Sequence, residues 1–574
     1  MVRITRRPDF DYAPLLATTP PLLAAIYARR GITEAAQLQL DLKDLALPNT
    51  MVGLAQGAQL LATAVKAQQR IVIVGDFDAD GATSSVVALL ALRMMGARYV
   101  EFLVPNRFDF GYGLSPPLVA LAQQMGADFL LTVDNGISAH AGVAAAKAAG
   151  MTVVVTDHHL PADTLPEADA IINPNRPECG FPSRALAGVG VAFYLMTALR
   201  RLLRDSDWFA SQSLPEPNLA ELLDVVALGT VADVVPLDHN NRVLVSQGLK
   251  RIRAGRCRPG IQALLEVGNR DMSRIVASDL GFTVAPRLNA AGRLEDMSLG
   301  IDCLLADELG QARQMAAELD GLNQTRRDIE SGMQQEALAM LGRLNLEDSQ
   351  LPWGLALYQN DWHQGVIGIL ASRIKERFHR PVIAFADAGG DELKGSARSI
   401  PGLHLRDLLE RIDSQYPGLI LKFGGHAMAA GLSIKEKDYA RFAEYYDAEV
   451  RATIDESQLT GELLTDGALV AEQFTLETAL MLREGGPWGQ HFPEPLFDGK
   501  FKVIGQRLLA EKHLKLQLET EDGSKQLDAI AFNVDRAHWP DASVQWLDLV
   551  YKLDVNRWQG RDSVQLLVEH LQPA

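Results

Sequence analysis

Between about residues 50 and 240 the hydrophobic positions fall into two alternating habits. "RIVIVGDF" is followed by "ATSSVVALLALRMMGA", "DFLLTVDNG" by "SAHAGVAAAKAAG", and "MTVVVTDHH" comes next. The first member of each pair has a continuous run of apolar, largely β-branched residues. The second is rich in Ala and Leu and helical in character. Continuous apolar strands separated by helices predict a parallel sheet covered on both faces. Each strand-like run ends in a small polar cluster, at the carboxyl edge where such sheets bind ligands.

The pattern changes further along the chain. "ADELGQARQMAAELDGLNQTRRDIESGMQQEALAMLGRL" is charged and predicts a long helical connector. Residues 350–450 mix strand-like "WGLALYQN" and "PVIAFAD" with helical "GVIGILASRIKERF" and a Gly-rich "FGGHAMAAG". From about 460, "LKLQLET", "LDAIAFNV" and "LDLVYKLDVNRW" are strand-like and separated by the turns "EDGSK" and "WQGRD". That tail predicts a small antiparallel barrel or sandwich. The expected organisation is an N-terminal segment (1–50), a parallel-sheet α/β domain (51–275), the connector (276–345), a smaller α/β domain (346–455) and a β-barrel (456–574).

The 574 residues, 47% hydrophobic and 22% charged, are an ordinary globular composition with ample core. No apolar run reaches the ~18 residues of a membrane span, and "MVRITRRPDFDYAPLL" lacks the apolar stretch of a signal peptide. Cys179, Cys257 and Cys303 are scattered. This suits a reducing cytoplasm and excludes a disulfide framework or a cysteine zinc site. The net charge of −17 argues against a protein that coats duplex DNA. A local basic groove remains compatible with it.

Three carboxylates, Asp76, Asp78 and Asp80, alternate directly after the first strand in "GDFDADG". Asp134 ends the next run, and Asp157, His158 and His159 end the one after. Asp233 lies in the apolar "DVVALGTVADVVPL". A lone Asp after a strand is usually a helix N-cap. An EF-hand is excluded because its twelfth position, counted from Asp76, is Val87 rather than Glu. In a parallel sheet these clusters share one edge, where like charges repel and raise one another's pKa. A divalent metal removes that cost. Asp and His without Cys suit Mg²⁺ or, with imidazole, Mn²⁺. Five or more ligands suffice for two ions roughly 3.5–4 Å apart.

The ordered set "GDFDADG", "VDNG", "TDHH" and "GTVADVVPL" resembles the motifs of the DHH phosphoesterases. "PNRFDFGYGL", "GFTVAPRLNAAGRL", "DWHQGVIGILASR", "KGSARSIPG", "FGGHAMAAGLSI" and "GPWGQHFPEPLF" extend the match over roughly residues 50–570. They resemble the branch of that family that degrades single-stranded DNA 5′→3′ and carries a DHH-associated domain and an oligonucleotide-binding (OB) fold. The resemblance implies metal ligands at Asp78, Asp80, Asp134, His158 and Asp233, with Asp76 as the third acid of the first motif. Some members have a histidine where this chain has Val74; Asp76 or water then fills the gap. Asp157 would orient an imidazole from behind. His159 would face the scissile phosphate as general acid or charge stabiliser.

Candidate phosphate contacts are Arg107, Arg287, Asn289, Arg293, His363, Ser396, Arg398, Gly424, Gly425 and His426. Arg can grip phosphate bidentately, and glycines let backbone N–H groups approach it. A tight turn is the plain alternative for Gly424–Gly425, and a helix cap for His363. His363 could otherwise line the groove between the two catalytic lobes. Phe108, Phe110 and Tyr112 offer stacking surfaces or core packing. Lys552, Arg557 and Trp558 could form a basic, aromatic barrel face for single strands.

The resemblance implies a metal-dependent exonuclease of DNA recombination and repair. Its expected partners are single-stranded DNA, a single-stranded-DNA-binding protein and a helicase. With no coiled-coil seam, a monomer is expected. Other DHH hydrolases, acting on nanoRNA or cyclic dinucleotides, are compact and generally lack a β-rich tail. Non-catalytic helicase relatives lack the acids. The DHH pyrophosphatases serve a substrate too small to require 574 residues.

Overall fold

The computed structural model describes residues 2–106, 113–343, 351–534 and 539–574. They form two compact units. The first comprises Arg6–Asp320 and Leu464–Ala574, the second mainly Gly321–Leu463.

In the first unit, strands β1 (Ile71–Val74), β2 (Val100–Leu103), β3 (Phe129–Val133), β4 (Thr152–Thr156) and β5 (Ala170–Ile172) form one sheet in the order β2-β1-β3-β4-β5. Every pairing is parallel. Val72, Val74, Leu130, Val153 and Val155 pack with Leu118, Val143 and Ala146 on one face, which explains why no polar residue interrupts β1. Leaving β1, the chain adds β2 on one side and returns to add β3 on the other. The strand order therefore reverses between β1 and β3, where an open sheet leaves a crevice at its carboxyl edge. Val74 pairs with Thr132, and Thr132 with Val155. Asp76, Asp134 and Asp157 each follow two residues later, so the register brings them to one height.

Helix α1 (Ala79–Met94) starts directly after the first acidic cluster because Asp78 caps it, accepting from the Asp80 and Gly81 N–H groups at 2.9 and 3.0 Å. Helices α2 (Gly188–Asp205) and α3 (Leu223–Ala232) pack against it. A π-turn over Leu280–Val284 leads into α4 (Ala285–Leu294). This helix lies so close to the first motif that a Cβ on Gly292 would come within 1.8 Å of the Phe77 carbonyl oxygen. The long helix expected from the charged segment is α5 (Leu309–Arg343).

The second unit holds a mixed sheet of β6 (Leu355–Tyr358), β7 (Val382–Gly389), β8 (Glu392–Arg398), β9 (Ile420–Gly425) and β10 (Ala429–Lys435), in the order β9-β10-β8-β7-β6. Helix α6 (Ile367–Phe378) packs on β7 and β8.

The tail belongs to the first unit. It closes a five-stranded barrel from β11 (Phe497–Leu509), β12 (His513–Thr520), β13 (Gln526–Ala531), β14 (Trp546–Trp558) and β15 (Arg561–Pro573), in the order β11-β12-β13-β15-β14. Alternation predicts its inward residues: Leu514, Leu516 and Leu518 are fully buried. The segment before the barrel is strapped to the sheet domain. Arg30 and Asp466 form a buried, bidentate pair at 2.9 Å, Trp488 and Phe492 stack, and the Leu237 N–H donates to the Gln490 carbonyl at 2.8 Å.

Candidate metal centre

The carboxyl edge gathers the acids. Asp134 is 2% exposed and adopts φ 62°, in the left-handed region where Asp is better tolerated than most residues. It is therefore not the N-cap that a lone strand-end Asp usually is; the next helix begins only at His140. The Asn135 amide beneath it donates to the carbonyls of Val74 and Val133, both at 3.0 Å, tying β1 to β3. Asp80 is buried in the first turn of α1, and its two oxygens accept the Gly188 and Val189 N–H groups at 2.6 and 2.9 Å. The start of α2 thus supplies donors to a carboxylate, as helix N-termini do. Only glycine fits at 188, because a Cβ there would stand 2.6 Å from the Asp134 side chain.

His158 joins these groups. Its Nε2 lies 3.2 Å from Asp134 Oδ1, 3.4 Å from Asp233 Oδ2 and 3.9 Å from Asp80 Oδ2. Asp233 arrives from the C-cap of α3, whereas the other expected ligands lie in the segments that leave the carboxyl ends of strands, Asp80 in the first turn of α1. Three sets of side chains place a potential ligand atom from each member within 4.8 Å of the others: Asp76, Asp78 and Asp134; Asp80, His158 and Asp233; and Asp134, His158 and His159.

Electrostatics set this cluster apart from ordinary surface acids. Burial, then the charge of Asp78, pushes Asp80 up to about 7 despite its two backbone donors. Burial, then Asp80 and Asp78, raises Asp134 well above the carboxylate range, and Asp233 rises through burial and the same neighbours. Buried like charges of this kind fit a multivalent cation, which removes both the repulsion and the cost of desolvation. The donor set of carboxylate oxygens and imidazole fits Mn²⁺ or Mg²⁺.

Asp157 behaves differently. Burial alone would raise it. The hydrogen bond from His159 Nδ1 at 2.7 Å, the charges of His159 and His158 and the Ile137 N–H together outweigh burial and hold the carboxyl below its usual value. Its oxygens also accept the N–H groups of His158, His159 and Ile137. Burial would lower His159, but the hydrogen bond and charge of Asp157, with the charges of Asp76 and Asp78, carry the imidazole up to about 9. Without bound metal, His159 is therefore a cation at neutral pH, beside the acid cluster.

The other expected residues distribute as follows. Val74 is fully buried in the sheet core. Asn289 Oδ1 accepts the Ala79 N–H at 2.8 Å, bracing the start of α1. Arg287 is buried, donates to the Thr283 carbonyl at 2.5 Å and pairs with Asp320 at 2.8 Å. Arg293 is half-buried at the end of α4. Arg107, Phe108, Phe110 and Tyr112 lie outside the described residues, as does the Trp558 side chain.

In the second unit, Arg398 donates to Ser396 Oγ at 3.2 Å, and a Cβ on Gly368 would meet both side chains. His363 caps α6's approach through its Nδ1, which accepts the Gly365 N–H at 3.1 Å. Gly424 and Gly425 end β9, Gly425 at φ 142°, and His426 is exposed beyond them. In the barrel, Lys552 is held by Glu494 and Glu569, and Arg557 by Asp562.

Residues the motifs did not single out complete the site: Asn135, Gly188, Gly229, Asn173 and Asn175. Gly229 leaves room for Thr83 and Asp80, which a Cβ would meet at 2.1 and 3.1 Å. The small-residue run "GVGVA" was the available signal for Gly188. Gly229 opens the motif "GTVADVVPL", which was its available signal.

Acids and a histidine gathered at the reversal point of a parallel sheet define a metal-binding phosphoesterase centre. Family models agree: "DHH family, N-terminal domain" matches residues 70–230, "DHHA1 domain" 353–452 and "RecJ OB domain" 465–570. The chain is 59% identical over 573 residues to the single-stranded-DNA-specific exonuclease RecJ of Dickeya dadantii (strain 3937), covering 100% of this chain and 99% of that protein. It is 56% identical over 572 residues to the protein of the same name from Escherichia coli (strain K12), with the same coverage. The fold is similar to a crystal structure of RecJ in complex with Mn²⁺ from Thermus thermophilus, with TM-score 0.80, 28% identity, and 99% and 79% of the two chains covered. A Mg²⁺ complex from the same organism gives TM-score 0.75 at 27% identity, covering 99% and 78%. The chain belongs to the RecJ family of DHH phosphoesterases. Among the described residues no helix is long and apolar enough to cross a membrane.

Proposed function

We propose that this protein is a metal-dependent exonuclease that hydrolyses single-stranded DNA 5′→3′ to mononucleotides, with two divalent ions, in recombination and repair. The convergence of Asp80, Asp134 and Asp233 on the Nε2 of His158 carries the proposal. Asp76, Asp78 and Asp134 would hold one ion, and Asp80, His158 and Asp233 the other. Bound there, Mn²⁺ or Mg²⁺ lowers the pKa of a water and neutralises charge on phosphoryl oxygens.

The chain's own groups do the rest. Gly188 and Val189 fix the Asp80 carboxylate by its two oxygens, and Asp157 fixes the His159 ring. His159, protonated, presents positive charge to the scissile phosphate and can deliver a proton to the leaving oxygen.

The strand would run along cavities of the first unit. A cavity of about 500 Å³ beside the end of α3 is lined by Val234, Phe282, Trp488 and Lys552. Phe282 is 79% exposed, an open surface for a base. A neighbouring cavity of about 320 Å³ shares Arg253 and Arg483 with it and adds Arg274 and Arg557, suited to phosphates. Gly424, Gly425, Ser396 and Arg398 would take the 5′ phosphate. Expected partners are a single-stranded-DNA-binding protein and a helicase, with the enzyme itself a cytoplasmic monomer.

Digestion of a 3′-labelled, 5′-phosphorylated single strand with Mn²⁺ tests this. Mononucleotide release ordered from the 5′ end, abolished by Asp134→Ala, supports it. Binding without cleavage overturns it.

A further inference from the structure

The peptide groups of the histidine pair are gripped from both sides. Asp157 Oδ1 takes the N–H groups of His158 and His159, at 2.7 and 3.0 Å. Their carbonyls are taken by the short segment that follows β5, "NPN". Asn175 Nδ2 donates to the His158 carbonyl at 2.5 Å, and Asn173 Nδ2 to the His159 carbonyl at 2.8 Å. The segment is itself rigid. Asn173 is fully buried, and its Oδ1 accepts the Asn175 N–H at 2.7 Å, closing an Asx turn. Pro174 between them has a fixed φ and no N–H to satisfy.

We infer that Asn175, held in place by this turn, is a positioning residue that sets the His158 imidazole against Asp134 and Asp233 by anchoring the His158 carbonyl. His158 is the one imidazole whose Nε2 faces three carboxylates from three separate segments. Its ring direction depends on the tilt of its own peptide plane. Backbone pairing of β4 ends with the Asp157 N–H donating to the Ile172 carbonyl at 3.1 Å, so the sheet ladder stops short of that plane and does not fix it. The Asn175 amide does. Asparagine is required for the donor. Aspartate has the same shape, but it offers only acceptors and would set a charge against a carbonyl oxygen. The inference rests on the metal-centre proposal above.

The test is calorimetric titration of Mn²⁺ into the metal-free full-length chain, for wild type, Asp134→Ala, Asn175→Asp and Asn175→Ala, with melting temperatures taken in EDTA. The expected result is Mn²⁺ binding by wild type and its loss in Asp134→Ala. Both Asn175 variants should bind about 10–100-fold more weakly, the range for an outer partner of a metal ligand, with melting temperatures close to wild type. An unchanged Mn²⁺ affinity in folded Asn175→Asp overturns the inference and leaves the metal centre standing. Failure of Asn175→Asp to fold also overturns it, because the residue would then serve the fold alone. Absence of Mn²⁺ binding by wild type overturns both.

Discussion

Nε2 of His158 lies 3.2 Å from Oδ1 of Asp134. The two residues end neighbouring parallel strands, and burial and nearby acids hold the Asp134 carboxyl far above its ordinary value. Asp134→Asn should therefore act in opposite directions on activity and stability. Replacing a buried carboxyl whose ionisation burial and its neighbours oppose should raise the melting temperature in EDTA, more so at alkaline than at neutral pH. Nuclease activity should fall by more than the ~10–100-fold typical of losing an outer-shell partner. Thermal unfolding and single-strand digestion of the same preparation measure both effects.

The raised carboxylates make metal binding depend on pH. Asp80 titrates near 7 and must lose its proton to act as a ligand. Mn²⁺ affinity should rise between pH 6 and 8, by up to about tenfold per pH unit for each proton displaced, with proton release that varies with buffer ionisation heat. The metal-free protein should behave in the reverse sense. Asp80 and His159 both have folded pKa values raised above their ordinary ones, to about 7 and about 9. Stability from such groups is complete below the ordinary pKa and lost as pH rises through the folded one. In EDTA the protein should melt at a lower temperature at pH 9 than at pH 6, and saturating Mn²⁺ should remove most of the Asp80 component.

The Asp157–His159 hydrogen bond at 2.7 Å should set the alkaline edge of activity. With Asp157 in place, His159 stays protonated to about pH 9. Asp157→Asn removes the strongest of the groups that offset burial, so the imidazole should titrate at lower pH. The alkaline limb of the kcat profile, measured with Mg²⁺, should move to lower pH. An unmoved limb would show that His159 is not the proton-bearing group.

Gly188→Ala is the steric test of the site. The added methyl would lie 2.6 Å from the Asp134 side chain. Overpacking of this kind costs about 1–3 kcal/mol. The displaced carboxylate should also weaken Mn²⁺ binding, which a purely local packing defect would leave intact. Unfolding and metal titration on one sample separate the two effects.

Arg274 and Arg557 both engage Asp562 across the smaller cavity, far in sequence from the acids. If phosphates pass there, Arg274→Ala and Arg557→Ala should each lower the salt dependence of single-strand binding by about 1 in log–log slope. Turnover of very short oligonucleotides should hold. Fluorescence anisotropy in Ca²⁺ with strands of graded length measures this.

The strands were legible because a doubly covered parallel sheet demands unbroken apolar runs, as Ile71–Val74 and Val153–Val155 supply. The acids at their ends were legible because they interrupt those runs abruptly. The barrel was legible from alternation at Leu514, Leu516 and Leu518. These are local signals, carried by residues a few positions apart. The pairing of the clusters was not local. That Asp76, Asp134 and Asp157 share one height follows from strand register, and that Asp233 reaches them from a helix end follows from packing of α3 on α1. Asn289 illustrates the limit. Its motif suggested a phosphate contact; that its Oδ1 braces Ala79 could be seen only once the folded chain brought the two together. Gly188 and Gly229 carry no side chain to advertise a role, and their importance lies in what a Cβ would strike. Sequence by itself determined which residues could bind metal, because side-chain chemistry is fixed by composition. Tertiary structure alone decided their distances, burial and pKa values, because these depend on atoms contributed by segments far apart in the chain.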